Sequence, residues 1–473
     1  MLQSSLKRAA RTHRTVCAAP QRTLWRCSTL ISSSPTSLLS HLEEAQTADA
    51  DSTLTAYALS KNTPQELVPR FVAALSSSSS SSPSIGCLSE VVPPSTLARL
   101  APSAPLKGEL YTVAIARHRP SSPTSSERAI PFRSTLTGRP NIALGREIKP
   151  EMRHDGEDAG FEAFLRGEKW GFGERANEGR AVSEGIDELK HVDPADVKEL
   201  VAFTADRMQP FLAALSTYPS AATTGLVGTS TPFHSPTGAP FSLFFSNEVV
   251  SSGAIGVAVV GSPSAPAIKL DYGGLEHVGE PYEVTSSQGN IVLSLSNQNA
   301  ARLLLDAVNK LFGTSAERLG AVQRSEEKDK EFFAALYDEQ PSLPLDLGKA
   351  RLVAKIMAGD PSRGAMSVET EQEVATGSYL AFLHAPSSSS STTSSTSAPP
   401  PSANSLTFLS LPASDLPPRF AASDAPSSGP VVEVPAFVAA SENGVLFAPP
   451  GRDAQGQVRV CAVEGASARV EEA

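Results

Sequence analysis

The chain has 473 residues, a formal net charge of −10 from 50 acidic and 40 basic side chains, and four cysteines. So few thiols exclude a disulfide framework and speak against a structural zinc site, and an acidic chain is a poor partner for nucleic acid. The longest apolar run, Ala254 to Val260, falls far short of the roughly 20 residues that cross a bilayer, so no membrane span is expected.

The N-terminus differs from the rest. Lys7, Arg8, Arg11, Arg14, Arg22 and Arg26 all precede the first acid, Glu43. At helical spacing Leu2, Leu6, Ala9, Ala10, Val16 and Cys17 gather on one side and Lys7, Arg8, Arg11 and Arg14 on the other. Ser28, Ser32, Ser33, Ser34 and Ser37 continue the segment. A basic amphipathic helix with a serine-rich continuation predicts a cleavable presequence over residues 1–40, read by the mitochondrial import machinery, and a body that works in the matrix.

Next, the alternating run Leu54 to Leu59 reads as a strand. It leads into Asn62-Thr63-Pro64-Gln65-Glu66, where Thr63 and Glu66 have capping-box spacing and Pro64 suits a first helical turn. A helix follows over Leu67 to Leu75, its start delayed by Pro69. A serine run, Ser76 to Ser82, makes a loop, and strands follow at Ser84–Leu88 and Tyr111–Ala116. Residues 120–194 are Gly-rich and charged, with only Phe161 to Leu165 suited to local helix; such a stretch buries too little apolar surface to offset ordering. It reads as a largely disordered insertion.

The pattern then repeats. Strand Leu200–Thr204 leads to Phe211-Leu212-Ala213-Ala214-Leu215-Ser216, which answers Phe71-Val72-Ala73-Ala74-Leu75-Ser76 at an offset of 140. Thr223–Val227 answers Ser84–Leu88, and Ala254–Val259 answers Tyr111–Ala116. Two strand–helix–strand–strand units predict an α/β (α+β) fold with pseudo-symmetric halves. Beyond them lie a helix over Asn299–Leu311 and a charged helix face over Arg324–Glu331, with Phe332, Phe333 and Leu336 as its buried side. A Ser/Thr/Pro tract over 386–402 is a low-complexity loop, and Ala439–Phe447 and Gln457–Val463 read as a terminal pair of strands.

These residues resemble a family, the FIST domain proteins, which occur as bacterial sensory modules and attached to F-box proteins in eukaryotes. The N-terminal FIST module is matched by Phe241-Ser242-Leu243-Phe244-Phe245-Ser246-Asn247-Glu248 and by Ser252 through Gly261. The C-terminal module is matched by Val284-Thr285, Gln288-Gly289-Asn290-Ile291, the helix from Asn299, Arg351, Ile356 through Ala365, Thr376-Gly377-Ser378-Tyr379 and Phe382. The resemblance implies an N-terminal module over 48–265 and a C-terminal module over 266–465. Where family members often carry a Gly-Cys pair, this chain reads Asp271-Tyr272-Gly273-Gly274, and it carries no F-box.

Direct signals of chemistry are sparse. The eight histidines show no helical zinc spacing, and Cys-x-x-Cys, Gly-x-Gly-x-x-Gly and Gly-x-Ser-x-Gly are all missing, so no cofactor is expected. Cys87 follows Gly86 near the end of a strand, where α/β proteins place reactive groups; a lowered pKa would make it a nucleophile, with Arg117 and His118 as candidate partners. A buried cysteine packing as a small hydrophobe is the simpler account. Arg351, with Asp360 and Arg363 in the turn Asp360-Pro361-Ser362-Arg363-Gly364, can fork onto a carboxylate such as an amino acid, or Asp360 and Arg363 can simply close a hairpin. Gly86, Gly253, Gly256, Gly289, Gly364 and Gly377 mark turns or close approaches. Three functions follow: a small-molecule-binding sensory module, which the resemblance implies; an adaptor that recruits a client protein; and an enzyme using Cys87. Binding is favoured over catalysis.

Overall fold

The computed structural model describes residues 25–45, 52–76, 82–102, 108–120, 125–136, 186–205, 209–229, 243–250, 252–312, 331–360, 364–370, 373–385, 402–413, 422, 425–451 and 457–471. Of the stretch read as a disordered insertion, residues 120, 125–136 and 186–194 are described, and Arg128–Ser134 is not loop but a strand paired with Ala254–Val260 along its whole length; of the 386–402 tract only Ser402 is described.

In chain order the first elements are β1 (Trp25–Ser32), α1 (Pro35–Ala45), β2 (Leu54–Ser60), α2 (Val68–Ser76), β3 (Ser84–Ser89), α3 (Pro94–Leu100) and β4 (Tyr111–His118). Then come β5 (Arg128–Ser134), β6 (Val197–Thr204), α4 (Gln209–Ser216), β7 (Ala222–Val227), β8 (Leu243–Phe245), β9 (Glu248–Val250) and β10 (Ala254–Val260). The third group is β11 (Ala267–Asp271), β12 (Glu276–Gln288), β13 (Ile291–Leu295), β14 (Gln298–Asn299), α5 (Ala300–Phe312), β15 (Phe332–Tyr337), β16 (Leu352–Asp360), β17 (Ala365–Val368) and β18 (Tyr379–His384). The last is β19 (Leu406–Ser410), β20 (Val432–Val434), β21 (Phe437–Ser441), β22 (Val445–Ala448), β23 (Arg459–Cys461) and β24 (Ser467–Glu471).

Two sheets carry the N-terminal part. The first runs β20-β1-β4-β2-β3-β8-β9 and the second β23-β22-β7-β6-β10-β5. Within them β1-β4-β2-β3 and β5-β10-β6-β7 follow one plan, with β2 parallel to β3, β6 parallel to β7, and the flanking pairs antiparallel. Helices lie between the paired parallel strands in both stretches, which fits the expected mixed α/β class.

Each strand alternates between two environments. Cys27, Ala56, Ala58, Ile85, Cys87, Ala114 and Ala116 of the first sheet share a core with Val201, Phe203, Leu226, Ile255, Val257 and Val259 of the second. The outer face of the first sheet, through Leu30, Tyr57, Leu59 and Val113, is covered by Leu38 and Leu39 of α1 and Phe71 and Leu75 of α2. That of the second is covered by Phe211 and Leu215 of α4. The architecture is therefore helix, sheet, sheet, helix. Strand glycines fit it: a Cβ on Gly86 would meet the Tyr57 ring at 2.3 Å, and one on Gly256 would meet Phe132 at 2.3 Å. Each glycine lets a large ring lie flat across a sheet.

The small inner side chains of the first sheet make room for a third sheet, β11-β24-β19-β21, whose Phe408 and Phe437 pack 5.6 Å apart in the same core. The outer edge of β21 is closed by hydroxyls. Thr29 donates to Ala436 O at 2.6 Å and accepts from Val438 N at 3.0 Å, while Ser89 accepts from Ala440 N at 2.9 Å. Edge strands covered in this way cannot recruit another chain.

The fourth sheet runs β12-β18-β15-β16-β17-β13-β14, and β12 also pairs with β13, which closes a six-stranded barrel. Its interior, with Val284, Val292, Leu336, Met366 and Phe382, also takes Leu303 and Ala307 of α5, a helix capped by Asn299 Oδ1 accepting from Arg302 N at 2.8 Å.

Several expectations need correction. Residues 25–40 are not a detachable leader. β1 is an interior strand between β20 and β4, with Trp25, Cys27, Leu30 and Ile31 at most 3% exposed, so cleavage at 40 would tear the first sheet; residues 1–24 lie outside the described residues. Phe332 to Tyr337 is a strand and not the buried side of a helix, because it is lined on both faces: Phe333, Ala335 and Tyr337 reach the central core and Ala334 and Leu336 the barrel interior. Arg324–Lys330 lie outside the described residues. The capping box is not formed. Pro64 heads a short 3-10 turn over Gln65–Leu67 with no side-chain cap, and the Glu66 carboxylate accepts instead from Ala422 N. Ala439–Phe447 is not one strand but parts of β21 and β22, which belong to different sheets. Finally, residues 404–471 do not complete a separate C-terminal module: β20 joins the first sheet and β22 and β23 the second.

Candidate ligand site where the strand ends meet

In open α/β sheets ligands settle beyond the carboxyl ends of parallel strands. Here two such ends abut. Lys61 follows β2, Glu90 follows β3, and Thr229 stands two residues beyond β7. Counted from Gly86 and Gly225, which pair with Tyr57 and Ala202 in matching registers, Glu90 and Thr229 occupy the same place in the two sheets. Thr229 Oγ1 lies 3.5 Å from Glu90 Oε2.

Lys61, Glu90, Thr229 and Glu442 form one network, with Asn443 and Asn62 bonded alongside it. Lys61 Nζ donates to Glu90 Oε2 at 2.6 Å, the two side chains being 11% and 0% exposed. Val91 N donates to the other Glu90 oxygen at 2.8 Å. The Thr229 hydroxyl donates to the carboxylate of Glu442, just past β21, and Asn443 Nδ2 donates to Gly228 O at 2.6 Å. Glu90 N donates to Ala440 O at 2.8 Å, and Asn62 Nδ2 to Glu109 Oε1 at 3.0 Å. Taking a lysine and a glutamate out of water is repaid only when both keep close partners, and these bonds supply them. The arrangement gathers one ammonium, two carboxylates and a hydroxyl at the junction of three sheets. Neither Lys61 nor Glu90 is singled out by the sequence reading; the available signal is a charged residue directly after an uncharged, wholly buried strand, twice in succession.

The residues that reading did single out lie elsewhere. Cys87 is 0% exposed, with Ala58 and Ala114 in its row of the sheet, and burial pushes its thiol well above the ordinary range. A thiolate nucleophile is disfavoured there. The proposed partner His118 is in the row of Leu54, four residues further along, or ~13 Å at strand spacing. Gly86 serves Tyr57, as described above.

Arg351 stands at the entrance to β16 in the barrel. Its Nε is 3.4 Å from Asp338 Oδ1 and one terminal nitrogen donates to Glu373 O at 3.4 Å. The Asp360 backbone pairs with Ala365 across the β16–β17 hairpin, and Arg363 lies outside the described residues. Arg351 and Cys87 belong to different sheets and are not brought together.

Among the described residues no group of three His, Cys, Asp or Glu side chains is placed to hold a metal ion, and no helix is long and apolar enough to cross a membrane. An open cleft of about 490 Å³, lined by Thr36, Ser37, Ser40, His41, Glu44, Ser427 and Val431, lies along α1 on the helix-covered side of the first sheet. The chain matches no protein-family model and no curated protein sequence.

Proposed function

We propose that this chain is a FIST-type, ligand-binding regulatory protein of mitochondria, that its first two sheets are repeats of one strand–helix–strand–strand unit, and that a small carboxylate or amino acid binds where their strand ends meet. The observation that carries the reading is the convergence of Lys61, Glu90, Thr229 and Glu442 at that junction. An ammonium and carboxylates held together match a small charged ligand, whereas Cys87, sealed and protonated, offers no nucleophile. The adaptor reading calls for a contiguous apolar surface; among the described residues six large apolar side chains are exposed, Val249, Leu293, Leu305, Leu311, Leu343 and Met357, and only Leu305 and Leu311 share an element, the helix α5.

A thermal-shift series with amino acids, organic acids and nucleotides tests this, since a ligand that binds only the folded state raises its melting temperature. The expected outcome is a dose-dependent rise that Glu442→Gln reduces and Arg351→Ala leaves intact. A rise abolished by Arg351→Ala alone would move the site to the barrel, and no rise with any compound would end the sensory reading. The mitochondrial assignment predicts that residues 1–24 alone carry a fused reporter into the matrix.

A further inference from the structure

At the opposite, amino end of the parallel strands lies a second polar junction. Trp25 of β1 donates from Nε1 to Glu199 Oε2 of β6 at 2.9 Å, a buried bond from the first sheet to the second. His118, which ends β4, meets the Trp25 ring edge-on with centroids 5.4 Å apart. It is 0% exposed. Its Nδ1 is 2.8 Å from the hydroxyl of Thr53, while its Nε2 is buried with no hydrogen-bond partner. An orphaned ring nitrogen in a core is costly, and none of the ligand-site network uses it.

The carboxylate that acts on this imidazole is Glu127, directly before β5, and Trp25, whose ring the imidazole meets, is bonded to a second carboxylate, Glu199 on β6. On its own strand Arg117 alternates to the helix-covered face, and Arg119 follows. β1 presents Trp25 and the segment before β2 presents Thr53, neither of which titrates in the acid range.

We propose that His118 is an acid-operated latch between the two sheets: on taking up a proton its ring turns toward the carboxylates of Glu127 and Glu199, and the Trp25–Glu199 bond gives way. In the folded protein burial lowers the imidazole to about 4, against an opposing upward pull from Glu127. The unfolded ring titrates near ~6.5. The stability gained by keeping it neutral is therefore complete above the unfolded value and is lost as the pH falls toward the folded one. Below that point the folded ring itself is charged.

The chain carries its own reporter. Of its two tryptophans, Trp25 and Trp170, the second is removed as Trp170→Phe in the full-length protein, and Trp25 emission is followed from about pH 7 to about pH 3 alongside far-UV circular dichroism. The expected result is a red shift of Trp25 with a midpoint of about 4, moved to lower pH or abolished by His118→Gln. Glu127→Gln removes the group that raises the imidazole, so it lowers the midpoint as well; that variant decides the matter if His118→Gln does not fold. Emission constant through the acid range, or one midpoint shared by all three proteins, overturns the latch.

Discussion

The first and second sheets share a backbone plan and differ at the positions where function would sit. Tyr57 lies opposite Gly86 where Ala202 lies opposite Gly225. One residue on, Cys87 stands where the second sheet has Leu226, and both side chains enter the same core. A position that takes leucine in one sheet and cysteine in the other is filled for volume, which is the strongest argument against Cys87 as a nucleophile. At the strand end the pair is Glu90 and Thr229, a carboxylate matched with a hydroxyl. In the first sheet the charge is answered by Lys61, and in the second the hydroxyl is answered by Glu442 from beyond β21.

The largest expected effect breaks the first sheet and spares the second. Deleting residues 1–40 removes β1 and half of α1, and with them the burial of Trp25, Leu30, Ile31, Leu38 and Leu39; at ~1.5–3 kcal/mol for each large side chain this is as large as a typical domain's whole stability. Such a chain should be insoluble, while one lacking only 1–24 should keep the full-length melting temperature. A soluble, cooperatively folded 41–473 fragment would refute the central role of β1.

Lys61→Met strands Glu90 in the core and should cost ~3–5 kcal/mol in urea unfolding. Adding Glu90→Leu should restore most of the loss, because an apolar pair replaces an ion pair at little net cost. Failure of the double variant to recover would mean that these side chains hold the junction by more than their mutual attraction. Gly86→Val drives a side chain into the Tyr57 ring and should cost ~1–3 kcal/mol, whereas Ala202→Gly in the second sheet, with no ring to accommodate, should cost less. Smallest is Cys87→Ala, at ~1 kcal/mol, with ligand-induced thermal shifts retained. In the native protein the Cys87 thiol should resist alkylation until the sheet opens; labelling at the rate of an exposed thiol would restore the enzymatic alternative.

The strand–helix–strand units were legible because their signals are local: Leu54 to Leu59 alternates, and the Phe71 and Phe211 helices carry the same apolar face. The ligand site was not, since Lys61, Glu90, Thr229 and Glu442 come together only through pairings that join distant parts of the chain. β1 was misread because serine and arginine between apolar residues satisfy a leader's composition as well as a strand's alternation. Phe332 to Tyr337 was misread for a related reason: a strand buried on both faces has no two-residue period, and Phe332, Phe333 and Leu336 fit a helix equally well.

The threading of the last segment through earlier sheets has a consequence for how the protein is made. Thr29 is bound to Ala436 across 407 residues of sequence, and β20 and β22 occupy places in the first and second sheets. Neither sheet can finish before residues 404–471 have left the ribosome, so the N-terminal half must wait, with its strand edges open, for most of the time of synthesis. A chain of such long-range order folds slowly and is exposed to aggregation meanwhile.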